Sequence, residues 1–174
     1  MSLLSNNLVA LRAVEPSDLD SLYKWENITE FWGVGATLTP FSRHTLSLFI
    51  DSQGDDIYTS KQVRFMVDTL DGECVGMVDI FDFDPYHLRA GVGVFISSEY
   101  QRRGYAKAAL EIVIRYAAEV LNLRQLWCGV AADNVASLAL FTSVGFIRRG
   151  VRTEWIRTSP TTFVDEVMFS LIIE

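Results

Sequence analysis

Two cysteines, two histidines and four prolines are all that 174 residues contain of those types, and the scarcity removes several classes of protein at once. Cys74 and Cys128 do not form a C-x-x-C pair, so neither a disulfide framework nor a thiolate metal site is expected. They read as two reduced, packed thiols of a cytoplasmic protein. His44 and His87 complete a poor ligand set, and no metal is expected. Long apolar runs are also missing. Nothing approaches the roughly 18 consecutive apolar residues of a membrane span, and the first residues lack the basic and apolar regions of a signal peptide. Neither a membrane partner nor export is therefore expected. Positive charge is scarce too: 15 Lys and Arg face 22 Asp and Glu, for a net charge of -7. That is the wrong sign for a nucleic-acid binder, whose phosphate contacts need clustered cations. It suits a cationic substrate, and it suits ordinary solubility equally well.

No repeat, low-complexity stretch or Pro/Gly-rich linker divides the chain, and 49% of residues are hydrophobic. The expectation is one domain over residues 1–174 with an ample core. Residues 8–14 alternate as a strand. Pro16 and Asp18 suit the start of a helix carrying Leu19, Leu22, Tyr23 and Glu26 on one face. Residues 33–40 read as a loop, and Ser42 as the cap of a helix with Leu46, Phe49 and Ile50 inward. Residues 63–70 and 73–83 form a hairpin around Asp71-Gly72, with positive φ expected at both turn positions. Residues 84–87 turn, and 90–97 form the next strand. Ala106, Ala109, Leu110, Val113, Ile114, Ala117 and Leu121 then follow a helical period, with Lys107, Glu111, Arg115 and Glu119 opposite. A short strand at 125–130, a helix from Asp133-Asn134 to a Gly145 cap, and strands at 146–156 and 163–173 complete the chain. The order β-α-α-β-β-β-α-β-α-β-β implies a mixed α/β sheet with helices on both faces.

Where the strand at 90–97 runs into the longest helix, the connection reads Gln101-Arg102-Arg103-Gly104-Tyr105-Ala106. A glycine-containing loop at a helix N-terminus presents free N–H groups and the positive end of the dipole, so it can cradle phosphate. Gly104 allows close approach, and Arg102 and Arg103 can add charge-assisted contacts. Taken alone, the same residues also fit two surface arginines. A P-loop is excluded because its G-x-x-x-x-G-K-[ST] pattern is absent. A dinucleotide fingerprint fails because Ile96 stands where the third glycine after Gly91 and Gly93 belongs.

The six-residue loop matches the Q/R-x-x-G-x-G/A signature of the GNAT superfamily of N-acetyltransferases. Downstream, Asn134, Ser137, Phe141, Gly145 and Phe146 follow its N-x-x-[AS]…GF element. With the order of elements, the chain resembles that superfamily over nearly its whole length. The resemblance implies an acyl-CoA N-acyltransferase fold with a central, mostly antiparallel sheet, and acetyl-CoA as co-substrate. It further implies that backbone groups of Phe95 and Ile96 pair with the pantetheine arm and that the amides of Arg102 to Ala106 hold the pyrophosphate. Asn134, Ser137 and Phe141 would line the CoA side of their helix, although Asn134 also fits a plain N-cap.

Acetyl transfer to an amine needs a base for the ammonium and a proton for the departing thiolate. The sequence departs from the family at both usual places: Gly91 stands at the common glutamate and Phe141 at the common tyrosine. Asp79, on a regular strand, shares a face with Met77, Phe81 and Phe83, where apolar neighbours would raise its pKa and make it a base. Asp82 and His87 are further candidate bases, and Asp82 needs a bulge to change faces. Paired or solvated side chains are the alternative for all three. Tyr105, Tyr116, Cys128 or water could supply the acid.

The first third resembles the RimJ/RimL and spermidine acetyltransferase branch through Leu11-Arg12, Trp25-Glu26-Asn27 and Arg89-Ala90. That places Trp25, Glu26, Glu30, Phe31 and Trp32 on the acceptor side, where aromatics and carboxylates suit a cation. The two tryptophans fit a core or interface equally well. A small amine such as spermidine or spermine is the favoured acceptor. A protein N-terminus or an amino-sugar, or a non-catalytic acetyl-CoA-binding module, are the alternatives. A homo-oligomer is a further possibility by analogy with relatives.

Overall fold

The computed structural model describes residues 2–32 and 37–174, so the loop expected over 33–40 falls partly outside the described residues. The elements run β1 (Val9–Ala13), α1 (Leu19–Glu26), α2 (Arg43–Ser52), α3 (Ile57–Ser60), β2 (Val63–Thr69), β3 (Cys74–Asp84), β4 (Arg89–Ile96), α4 (Tyr105–Glu119), β5 (Gln125–Ala131), α5 (Val135–Ser143), β6 (Ile147–Arg157) and β7 (Phe163–Ile172). All match the expected order except α3, a single turn too short to show a helical period. It is held by Asp56, whose side chain accepts from the amides of Tyr58 and Thr59. The strands form one sheet in the order β1-β2-β3-β4-β5-β7-β6. Neighbours are antiparallel except β4 and β5, which run parallel.

Helices cover both faces of the sheet. On one, α4 buries Ala108, Ala109, Leu110, Ile112, Val113 and Ala117 against β-strand side chains such as Val78, Ile80, Val92, Leu126 and Val130. This stripe is wider than the sequence period implied, because Ala108 and Ile112 are buried as well. Truncating a fully buried isoleucine such as Ile112 to alanine costs about 2–5 kcal/mol. On the other face, α1 and α2 place Leu22, Trp25, Leu46 and Ile50 over Met66 and Met77. Ser42 caps α2 as expected, accepting from the Thr45 amide at 3.0 Å. Asn134 caps α5 by accepting from Ser137 N. The end of α5 is closed by paired bonds from Gly145 N to Thr142 O and Phe146 N to Phe141 O, with Gly145 at φ 95°.

Two local expectations are corrected. In the β2–β3 hairpin only Gly72 has positive φ among the turn residues. Gly72 N donates to Thr69 O and Thr69 N to Glu73 O. That is a three-residue loop with glycine at its left-handed position, rather than a two-residue turn with two left-handed residues. In β3 a register shift between Phe81 and Asp84, with Asp82 at φ 49°, interrupts the alternation. The bulge sends Phe83 into the core beneath α4, so it does not share the face of Met77, Asp79 and Phe81.

Candidate active site

The parallel strands β4 and β5 pair only through Arg89–Gln125, Ala90–Leu126 and Gly91–Trp127. Beyond Gly91 they part, while β4 continues to Ile96 and β5 to Ala131. The gap opens into a groove of about 1310 Å³, lined from one side by residues 92–96 and from the other by residues 128–131. Diverging parallel strands leave ladder N–H and C=O groups facing the gap, so an extended ligand can complete the ladder there.

At one end of the groove lies the loop before α4. Arg102 (φ 62°) and Gly104 (φ 83°) both adopt the left-handed conformation, and Gly104 is the N-cap of α4. The first backbone bond of the helix is Ala108 N to Gly104 O. Among the described residues nothing accepts from the amides of residues 102–107. Free amides at a helix start, with left-handed residues turning them inward, form a concave anion site. The loop is braced from behind. Gln101 Nε2 donates to Ile96 O at 3.1 Å, and Arg103 Nη2 donates to Glu99 O at 3.1 Å with its guanidinium over the Tyr100 ring. Arg102 and Lys107 line the groove, whereas the Arg103 side chain does not. Charge assistance was expected from both arginines, and only Arg102 is placed for it.

The helix α5 flanks the same end with Asn134, Ala136, Ser137, Leu140 and Phe141. Phe141 is buried against Phe146, ring centroids 5.2 Å apart.

The other end is walled by Trp25, Phe31, Trp32, Phe41, Phe49 and Phe81. Its charged side chains are Glu26, Arg64 and Asp79. Arg64 Nε and Nη2 donate to the two oxygens of Asp79 at 2.7 and 2.8 Å, Arg64 Nη1 bonds Glu26 Oε1, and the guanidinium lies over the Phe49 ring. Burial opposes the charge on Arg64. Attraction and hydrogen bonding from Asp79, then from Glu26, outweigh it and raise its pKa further. Trp32 Nε1 donates to Glu26 O at 3.0 Å, and Trp25 packs on Phe95 at 5.5 Å, so both tryptophans are structural and groove-lining at once.

A profile of the family described as the acetyltransferase (GNAT) domain matches residues 9–147. The chain belongs to the GNAT acetyltransferases. It is 29% identical over 150 residues to the spermidine N(1)-acetyltransferase of Escherichia coli K12, covering 84% of this chain and 76% of that protein. It is 24% identical over 148 residues to the spermidine N(1)-acetyltransferase of Vibrio cholerae, covering 83% and 82%. Its fold superposes with a TM-score of 0.85 on the crystal structure of the Vibrio cholerae spermidine N-acetyltransferase in complex with CoA and spermine, at 22% identity over 96% of both chains. The enzyme is thus an acetyl-CoA-dependent N-acetyltransferase.

In this GNAT enzyme the common glutamate position is not merely substituted but filled. A Cβ on Gly91 would come within 2.3 Å of the Phe81 ring, which packs edge-on against Trp127. Asp79 lines the groove, but as one arm of an ion pair, not as an isolated acid among apolar side chains. Asp82 is exposed on the bulge and outside the groove lining. His87 is exposed in the β3–β4 turn beside Tyr86, also away from the groove. Glu30 is exposed and does not line the groove, although Phe31 and Trp32 do. Tyr116 packs on Phe65 in the core, where burial raises its pKa. Burial, then the nearby Glu166, push the Cys128 thiol up to about 12. Cys74 is likewise pushed up to about 12, by burial first and then by Asp68. Among the described residues no group of three or more His, Cys, Asp and Glu could hold a metal, and no helix is long and apolar enough to cross a membrane.

Sequence reading missed Arg64. Its partners are distant in sequence, yet the hairpin register sets Arg64 directly opposite Asp79. An arginine alternating with Met66 on a strand face otherwise turned inward was the available signal.

Proposed function

We propose that this enzyme acetylates a primary amine of a small polyamine, the class named in its curated relatives. The observation that carries the reading is the polarity of the groove. One end offers free helix-start amides with Arg102 and Lys107, and the other offers aromatic walls with a net negative charge. The first suits a diphosphate and the second an ammonium with a hydrocarbon body.

Acetyl-CoA supplies the acetyl group as a thioester. The amides of Arg102, Arg103, Gly104, Tyr105 and Ala106 hold its pyrophosphate, and Gln101 fixes that loop to β4. Ladder groups of Phe95 and Ile96 align the pantetheine arm, and Asn134, Ser137 and Phe141 flank it. Glu26, with Trp25 and Trp32, receives the cationic acceptor. Asp79 accepts the ammonium proton through water, since both its oxygens keep lone-pair capacity beside Arg64. The nitrogen lone pair then bonds to the acetyl carbon, the carbon–sulfur bond breaks, the nitrogen releases its second proton to water, and solvent or Tyr105 returns a proton to sulfur. Asp82, His87 and Glu30 lie outside this arrangement. The reading also allows assembly into a homo-oligomer.

A thiol-release assay with acetyl-CoA tests it across spermidine, spermine, diamines, monoamines, peptide N-termini and amino-sugars. Release with the polyamines is expected. Release with peptides or amino-sugars alone would replace the acceptor, and none with any polyamine would reject it.

A further inference from the structure

The acceptor end of the groove contains two carboxylates and one guanidinium among its described residues, which leaves a single negative charge. Positions 33–36, which are not described, are Gly, Val, Gly and Ala and carry no charged side chain. Each guanidinium nitrogen of Arg64 donates one N–H, two of the three going to Asp79 and one to Glu26, so three of its five donors are engaged, and its face rests on Phe49. Its side chain is only 13% exposed. It cannot turn toward a ligand without leaving both carboxylates unpaired, which is strongly unfavourable at a buried site. A carboxylate on the acceptor would therefore meet a cation already outnumbered by two carboxylates. Glu26 Oε2 is the carboxylate oxygen without a bond to another described residue. The remaining wall is aromatic and offers hydrocarbon contact.

We propose that Arg64 is a specificity-determining residue: by taking one of the two carboxylate charges it limits the acceptor end to one ammonium, flanked by a hydrocarbon segment and free of carboxylate. This rests on the amine-acceptor reading above and specifies how much charge that site takes. A second ammonium drawn into the same end would lose water without an uncompensated anion to replace it. Further amino groups of a polyamine must then remain at the mouth, in water.

The test compares kcat/KM for a tetraamine and for a primary alkyl monoamine, with calorimetric binding of both to the CoA-loaded protein as a readout independent of turnover. Replacing Arg64→Met frees the second carboxylate and should raise the tetraamine-to-monoamine ratio about tenfold, chiefly through KM. Arg64→Lys, which keeps the charge, should hold the wild-type ratio. The double variant Arg64→Met/Asp79→Asn returns the end to one negative charge and should restore the wild-type binding ratio even where turnover is low. Should Arg64→Met fail to fold, Arg64→Gln removes the same charge and is read the same way, while Glu26→Gln, which removes the one uncompensated charge, should weaken both amines about equally. The wild-type ratio in Arg64→Met or Arg64→Gln, or an equal weakening of both amines by either, would overturn the inference while leaving amine acetylation intact. If the wild-type enzyme neither turns over nor binds any amine, the amine-acceptor reading fails and this inference with it.

Discussion

Asp79 is placed between two demands. A base has to take a proton, while both oxygens of Asp79 already accept from Arg64. The two are compatible because each oxygen gives Arg64 one lone pair and keeps another for water. Asp79→Asn should therefore lower kcat by about 10²-fold or more, the usual scale of a lost general base, while the KM for acetyl-CoA stays within about twofold. Steady-state kinetics with the favoured polyamine decide it, and unchanged turnover would remove Asp79 from the reaction. Cys128 lies on the same groove yet cannot serve as a nucleophile. Burial, then Glu166, push its thiol up to about 12, so between pH 6 and 9 it remains protonated. Cys128→Ala should keep turnover within a few-fold, and mass spectrometry of the enzyme after incubation with acetyl-CoA alone should find no acetyl group on Cys128.

At the scale of elements, the two ends of the groove were legible to different degrees. The loop before α4 could be read because its parts are contiguous: a strand, a glycine and a helix period within one window. At the acceptor end single residues such as Trp25, Glu26, Trp32 and Asp79 could be named but not their arrangement, because Glu26, Arg64 and Asp79 come from α1, β2 and β3 and meet only in the folded chain. The bulge at Asp82 could be raised from the sequence only as an option. Its sequence looks like regular alternation, and only the pairing with β4 reveals the slipped residues that turn Phe83 away from Asp79. Gly104 allows the legible part to be tested by separating conformation from space. Its φ of 83° costs a side-chain-bearing residue about 1–2 kcal/mol, and an added Cβ meets only Leu8 at 3.5 Å. Gly104→Asn, which tolerates that conformation, should keep the melting temperature within a few degrees. It should nonetheless weaken CoA at least about tenfold, because the diphosphate proposed to bind this loop needs close approach to its backbone. Unchanged CoA affinity by calorimetry would show that the loop does not hold the diphosphate. A second element junction carries stability. Asp18 accepts from Arg12 Nη1 and Nη2 at 2.7 and 2.9 Å and from Glu15 N at 2.8 Å, while Arg12 Nε reaches Asp68. Burial opposes ionisation of Asp18, but the bonds from Arg12 and the Glu15 amide prevail and lower its pKa. A lowered folded value means that the stabilisation is complete above the unfolded value of about 3.9 and is lost as pH falls through the folded one. Asp18→Asn should destabilise by about 3–5 kcal/mol at pH 7 in urea unfolding, and the gap to wild type should narrow below about pH 4.

On the scale of the whole molecule, charge acts at two ranges that salt can separate. The net charge of -7 sets a long-range field that draws polycations toward the surface. The acceptor end itself holds one uncompensated carboxylate behind aromatic walls. A field across open solvent is screened within a Debye length of about 8–10 Å near physiological salt, whereas a half-buried contact is screened far less. A triamine feels both ranges, and a monoamine mainly the second. Raising salt from about 20 to about 200 mM should therefore increase the KM for the triamine several-fold and that for the monoamine by less than about twofold, with kcat nearly constant for each. Equal salt sensitivity of the two amines would mean that the surface field does not assist capture, and that the single charge beside Arg64 accounts for the whole electrostatic attraction.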